Sequence, residues 1–107
     1  MRMLLIIRLP HETFNAAVRD GSAGTKMEAI LDEVKPESVH FTEIDGRRAV
    51  VMIVEMEKPS RVPVLAEPWF LTFDADVEFH IVMEPEELRE SGLERLGRKW
   101  GDGGSTP

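Results

Sequence analysis

Apolar positions along this chain fall into short, separable patterns. Arg2 to Leu9 is apolar at nearly every position, and so short a run, followed by Pro10, predicts a buried strand. Pro10 suits the first turn of a helix, and Phe14, Ala17 and Val18 then recur at helical spacing until Gly21 stops the segment. Thr25 and Glu28 have the spacing of a capping box, which places a second helix start after Gly24. Met27, Ile30, Leu31 and Val34 give that helix its apolar stripe, and Pro36 ends it.

Alternation replaces helical spacing at Ser38. Val39 and Phe41 interleave with Ser38, His40 and Thr42, the period of a half-buried strand running to Ile44. Asp45-Gly46 is a tight-hairpin signal, and the chain returns as the apolar run Ala49 to Val54, so these two strands are expected to be adjacent and antiparallel. Ser60 reads as a helix cap with Pro63 in the first turn and Val62, Leu65, Ala66 and Trp69 facing one way; Pro68 is expected to kink or end this helix. Val77, Phe79, Ile81 and Met83 alternate with Asp76, Glu78 and His80 as a fourth strand. A single terminal helix from about Pro85 carries Glu86 and Glu87 at its start and Arg98 and Lys99 near its end. It is expected to dock through Leu88, Leu93, Leu96 and Trp100.

The order strand, helix, strand, strand, helix, strand, then a terminal helix places the chain in the α+β class with the split βαβ pattern of ferredoxin-like folds. In such a fold the helices cover one face of a four-stranded antiparallel sheet, and the other face is ordinarily polar. Here the inner strands are apolar on both faces: Leu4 and Ile6 oppose Leu5 and Ile7, and Val51 and Ile53 oppose Val50, Met52 and Val54. Burying Leu4, Ile6, Val51 and Ile53 would contribute roughly 6 to 12 kcal/mol by area, comparable with the whole stability of a small domain. The expected cover is a second copy, which makes the chain a homodimer.

A βαββαβ chain of this length, with a two-sided apolar sheet, an acidic composition and the late stretch PWFLTFDADVEFHIVM, resembles the dimeric α+β barrel superfamily over about Arg2 to Met83. The likeness is greatest to its small bacterial members; better-known relatives include antibiotic-biosynthesis-type monooxygenases and muconolactone-isomerase-like enzymes. That resemblance implies two ferredoxin-like sheets packed face to face, in some members around a small-molecule cavity. No motif of those enzymes occurs here, and no catalytic residue is carried over from them.

Composition narrows the chemistry. The 107 residues fit one domain, residues 1–100, followed by the polar stretch GDGGSTP (101–107), expected to be a frayed tail. The absence of cysteine excludes disulfides, zinc-thiolate sites, iron–sulfur clusters and a cysteine nucleophile. Twenty acidic against 13 basic residues, a net charge of -7, opposes binding to nucleic-acid phosphates and to anionic membranes. Met3 to Ile7 is too short for a signal-peptide core or a membrane span, so the cytoplasm is the expected compartment.

Most motif-like stretches lack the spacing or setting their chemistry needs. Gly21 to Lys26 (GSAGTK) follows a helix and has Thr25 between Gly24 and Lys26, the wrong order and setting for a phosphate loop. There is no G-x-S-x-G elbow, and no pair of histidines has metal-helix spacing. The acids from Glu84 to Glu94 read as a solvated helix face. One constellation survives. By strand parity Arg8, His40, Glu55 and His80 are the polar residues of the otherwise apolar second sheet face. Apolar walls with a few ionisable groups describe a small-ligand site, in which His40 or His80 would shuttle a proton and Arg8 would hold an anionic or carbonyl oxygen. Such chemistry needs neither a metal nor an organic cofactor. The other reading is a non-catalytic homodimeric module whose interior is packed solid, with the same residues facing solvent at sheet edges.

Overall fold

The structure is a computed structural model and describes residues 1–101. The expected tail from 102 onward lies outside the described residues. The elements are β1 (Arg2–Arg8), α1 (His11–Arg19), α2 (Ala23–Val34), β2 (Ser38–Ile44), β3 (Arg47–Glu55), α3 (Arg61–Phe73), β4 (Asp76–Ile81), α4 (Pro85–Glu90) and α5 (Leu93–Trp100). The four strands form one sheet in the order β2-β3-β1-β4, with every neighbouring pair antiparallel. This α+β arrangement is compatible with a ferredoxin-like chain.

Local chemistry accounts for most of the boundaries. The β2–β3 hairpin turns on Asp45 (φ 55°) and Gly46 (φ 79°), both left-handed, as a two-residue turn between twisted strands requires. Glu43 accepts the Gly46 N–H at 2.9 Å and fixes the corner. Between α1 and α2, Gly21 is left-handed (φ 82°) and the Asp20 carboxylate accepts the Ser22 N–H at 2.8 Å. The Ser22 carbonyl in turn accepts the Lys26 N–H. The helix therefore begins at Ala23, and Thr25 lies inside its first turn. The expected capping box at Thr25 and Glu28 does not form, because the Asp20 turn starts the helix earlier.

Pro68 does not end α3; the helix continues to Phe73. Leu65, Ala66, Trp69 and Phe73 are buried on both sides of the proline, and that tertiary packing outweighs the ~3 kcal/mol that an interior proline costs. The chain stops instead at Asp74 in the left-handed region (φ 54°), whose N–H bonds to the Phe70 carbonyl at 2.9 Å.

The main cluster of buried apolar side chains lies on the helix side of the sheet: Leu5, Ile7, Val50, Met52 and Val54 from the strands meet Ala17, Ile30, Val34, Leu65, Trp69 and Phe73 from the helices. The Phe14 and Phe73 rings lie 5.0 Å apart, and the Arg48 guanidinium sits 4.9 Å from the Phe14 centroid, closing one end of the core.

The single docked terminal helix is a correction. Gly92, left-handed at φ 75°, breaks the segment into α4 and α5. A capping box between Glu84 and Glu87 opens α4, but neither helix has a buried residue. Leu93 is 55% exposed and Trp100 74%. The pair projects as an arm from the end of β4. The Cα radius of gyration is accordingly 18.9 Å, where a compact chain of this length gives about 13 Å. Among the described residues no helix is long and apolar enough to cross a membrane.

Candidate functional site

Because β-strand side chains alternate, cross-strand partners share a face. Three rows cross the sheet on the face opposite the helices: Thr42, Ala49, Arg8, Asp76; then His40, Val51, Ile6, Glu78; then Ser38, Ile53, Leu4, His80. Leu4, Ile6, Val51 and Ile53 thus make a half-buried aliphatic strip along the centre, and none belongs to the helix-side core. Polar side chains flank it on both edges.

The β4 edge carries the connected chemistry. Arg8 stands opposite Asp76, yet its guanidinium Nη1 reaches diagonally to the Glu78 carboxylate and forms an ion pair. Diagonal neighbours on an antiparallel face are within reach of a side chain this long. His80, two residues further along the same face, places Nε2 3.0 Å from the other Glu78 oxygen. The His80 hydrogen bond first, and the Arg8 charge and hydrogen bond with it, hold the Glu78 carboxyl below its ordinary range despite partial desolvation. Glu78 is therefore ionised at neutral pH, a fixed anion that orients both an imidazole and a guanidinium. A carboxylate steering an imidazole ring is the arrangement that general acid–base chemistry uses. Arg8 is the least exposed of the three, its side chain 27% accessible. A guanidinium has five N–H donors, so the fork retains donors for an oxygen of a bound molecule.

Of the four residues that parity singles out, the structure joins two. Arg8 and His80 meet through Glu78. His40 is exposed on edge strand β2 and lies across the whole sheet from Glu78, three strand spacings or roughly 14 Å away. Glu55 is drawn off to the end of the sheet, where it faces Arg2 across the strands and pairs with the Met1 ammonium. Arg2 there binds Glu37 at 2.9 Å and Glu84 at 3.0 Å, an ion-pair knot that anchors the base of the arm.

Glu78 is the residue absent from the sequence-derived set. Its signal was present: it precedes His80 by two in an alternating strand, the position that shares a face. Among the described residues no group of three or more His, Asp and Glu side chains gathers to hold a metal ion. Elsewhere, Leu9, Phe14, Met27, Phe41, Arg48 and Ala49 help to line an apolar groove of about 320 Å³ at the far end of the sheet, and Leu88, Arg89, Gly92, Leu93 and Glu94 line one of about 360 Å³ at the arm's elbow. No protein-family model matches the chain, and comparison with curated proteins also yields no match.

Proposed function

We propose that the chain acts as a ferredoxin-like homodimer of the dimeric α+β barrel type, in which two uncovered sheet faces enclose a small organic molecule bound without a cofactor. The observation that carries this reading is the aliphatic strip of Leu4, Ile6, Val51 and Ile53 bordered by the Arg8–Glu78–His80 chain. An apolar wall with one polar end suits a molecule with an apolar body and a single carbonyl or carboxylate oxygen, which Arg8 would hold while Glu78 keeps His80 in place.

Sedimentation equilibrium together with binding of 1-anilinonaphthalene-8-sulfonate, an anionic dye with an apolar body, tests the reading. The expected result is a dimer that binds the dye, with Arg8→Ala weakening the dye and leaving the mass unchanged. A dimer that binds no dye points to the second reading, a packed interaction module. That alternative is favoured by the directly opposed pairs Leu4–Ile53 and Ile6–Val51, a flat surface able to close on its twin. A monomer at all concentrations would overturn both.

A further inference from the structure

The α4–α5 arm has an apolar stripe, a groove and a charge pattern that fit one another only between two molecules. On α5, Leu93, Leu96, Gly97 and Trp100 recur at i, i+3, i+4 and i+7, one face of the helix. Trp100 is 74% exposed, and a solvated indole at the tip of a helix is the kind of side chain that anchors protein contacts. Leu88, Gly92 and Leu93 line the elbow groove of about 360 Å³. Within one arm, Trp100 and this groove lie at opposite ends of α5, eight residues long, so neither satisfies the other.

Charge selects the orientation of a partner. Residues 84–94 carry Glu84, Glu86, Glu87, Glu90 and Glu94 against Arg89 alone, a net charge of -4, whereas residues 95–99 carry Arg95, Arg98 and Lys99, a net charge of +3. Two arms side by side in parallel would set acid on acid and base on base. Antiparallel, each basic half lies beside the other's acidic half, and the Trp100 end of each reaches the elbow of the other. Such a contact closes on itself through a two-fold axis and needs no third molecule.

We propose that the arm is a self-association element: two copies pair their arms antiparallel, and Trp100 of each enters the Leu88–Gly92–Leu93 groove of the other. Two indoles and six leucines bury on the order of 800 Å² in all, the low end for specific contacts, which makes the pairing reversible. Its residues are separate from the sheet face, so it stands whether or not that face is also paired. The net negative half of the arm disfavours an anionic lipid surface as the partner.

Charge-reversed full-length chains provide the test. Glu86→Lys with Glu90→Lys and Glu94→Lys turns residues 84–94 from -4 to +2, so both halves of the arm are net basic; Arg95→Glu with Lys99→Glu turns residues 95–99 from +3 to -1, so both halves are net acidic. In sedimentation velocity each variant alone is expected to self-associate about tenfold more weakly than the unaltered chain, and an equimolar mixture to recover the original affinity. Iodide quenching of Trp100 should fall as the unaltered chain is concentrated, with Trp100→Ala associating as weakly as either reversed variant. The proposal is overturned if the variants associate like the unaltered chain, if mixing restores nothing, if Trp100 stays equally quenchable at all concentrations, or if the arm binds phosphatidylserine vesicles without self-association. Sedimentation reads both interfaces, so the arm variants are also compared in an Ile53→Asp background, where only the arm contact remains, and iodide quenching of Trp100 reports the arm alone; the two interfaces then fail separately.

Discussion

Ile6 and Val51 stand opposite each other across β1 and β3 on the sheet face that the helices leave uncovered. Their neighbours Leu5, Val50 and Met52, one step along the same strands, are fully buried on the other face. Two adjacent strands thus build one wall into the core and a second that ends in water. The second wall governs the first prediction. Ile53→Asp introduces a charge into it beside Leu4 and is expected to abolish sheet-face association, while Glu33→Ala, on the exposed side of α2, leaves it unchanged. Sedimentation equilibrium at matched concentrations checks both.

The hairpin gives a stability prediction. Gly46 occupies the left-handed region at φ 79°, with open space where a Cβ would project. Gly46→Ala therefore suffers only backbone strain, expected to cost about 1–2 kcal/mol and to lower the melting temperature measured by circular dichroism. Gly24→Ala, within α2, should stabilise the chain slightly, since it has space and an ordinary helical backbone.

In the core, Trp69 is fully buried between helix and sheet, and its indole N–H has no partner among the described residues. Truncation to alanine is expected to cost about 3–5 kcal/mol, most of the stability of a small domain. Trp69→Phe removes the unpaired donor along with some volume and should cost markedly less. Urea denaturation followed by far-ultraviolet circular dichroism separates the two.

The fourth region with a definite expectation is the Arg8–Glu78–His80 chain. Glu78 titrates lower in the folded chain than when unfolded, so its contribution is present above the ordinary carboxylate range and is lost as the pH falls through the lowered value. Glu78→Gln should then melt below the unaltered chain at neutral pH and converge with it in acid. Parallel melting curves at every pH would show that the ion pair contributes nothing.

How far the sequence could be read follows from the range of the interactions involved. Strand parity is local, so the facial assignment of Leu4 against Leu5, or Val51 against Val50, was available from alternation alone. Asp45-Gly46 likewise states its own turn. Pro68 does not end its helix because its local cost is countered by Trp69 and Phe73, which belong to the same buried core as the strands distant in the chain. The arm misled for the opposite reason: Leu88, Leu93 and Trp100 carry the spacing of a docking face, but spacing cannot say whether the dock belongs to the same molecule. At the candidate site, Arg8 and His80 were recognisable by parity. Only the register between β1 and β4 shows that Glu78 joins them and that Glu55 is held elsewhere.

Deleting the arm after Met83 offers a complementary check. Neither helix buries a residue, so a chain ending there should melt within a few degrees of the full one when both are dilute enough to be monomeric. A large fall would show that the helices pack against the body after all.

The sheet order has a consequence for how the chain reaches this state. β1, the earliest made of these four strands, sits in the interior of the sheet and hydrogen-bonds to residues as late as Val82. The β2–β3 hairpin closes over a two-residue turn and can form as soon as it is synthesised, but β1 keeps an unpaired edge until β4 has left the ribosome. Folding is thus expected to be late and concerted, its rate set by closing a loop that spans most of the domain. In the interval, the run from Met3 to Ile7 is the segment most exposed to chaperones or to another nascent chain.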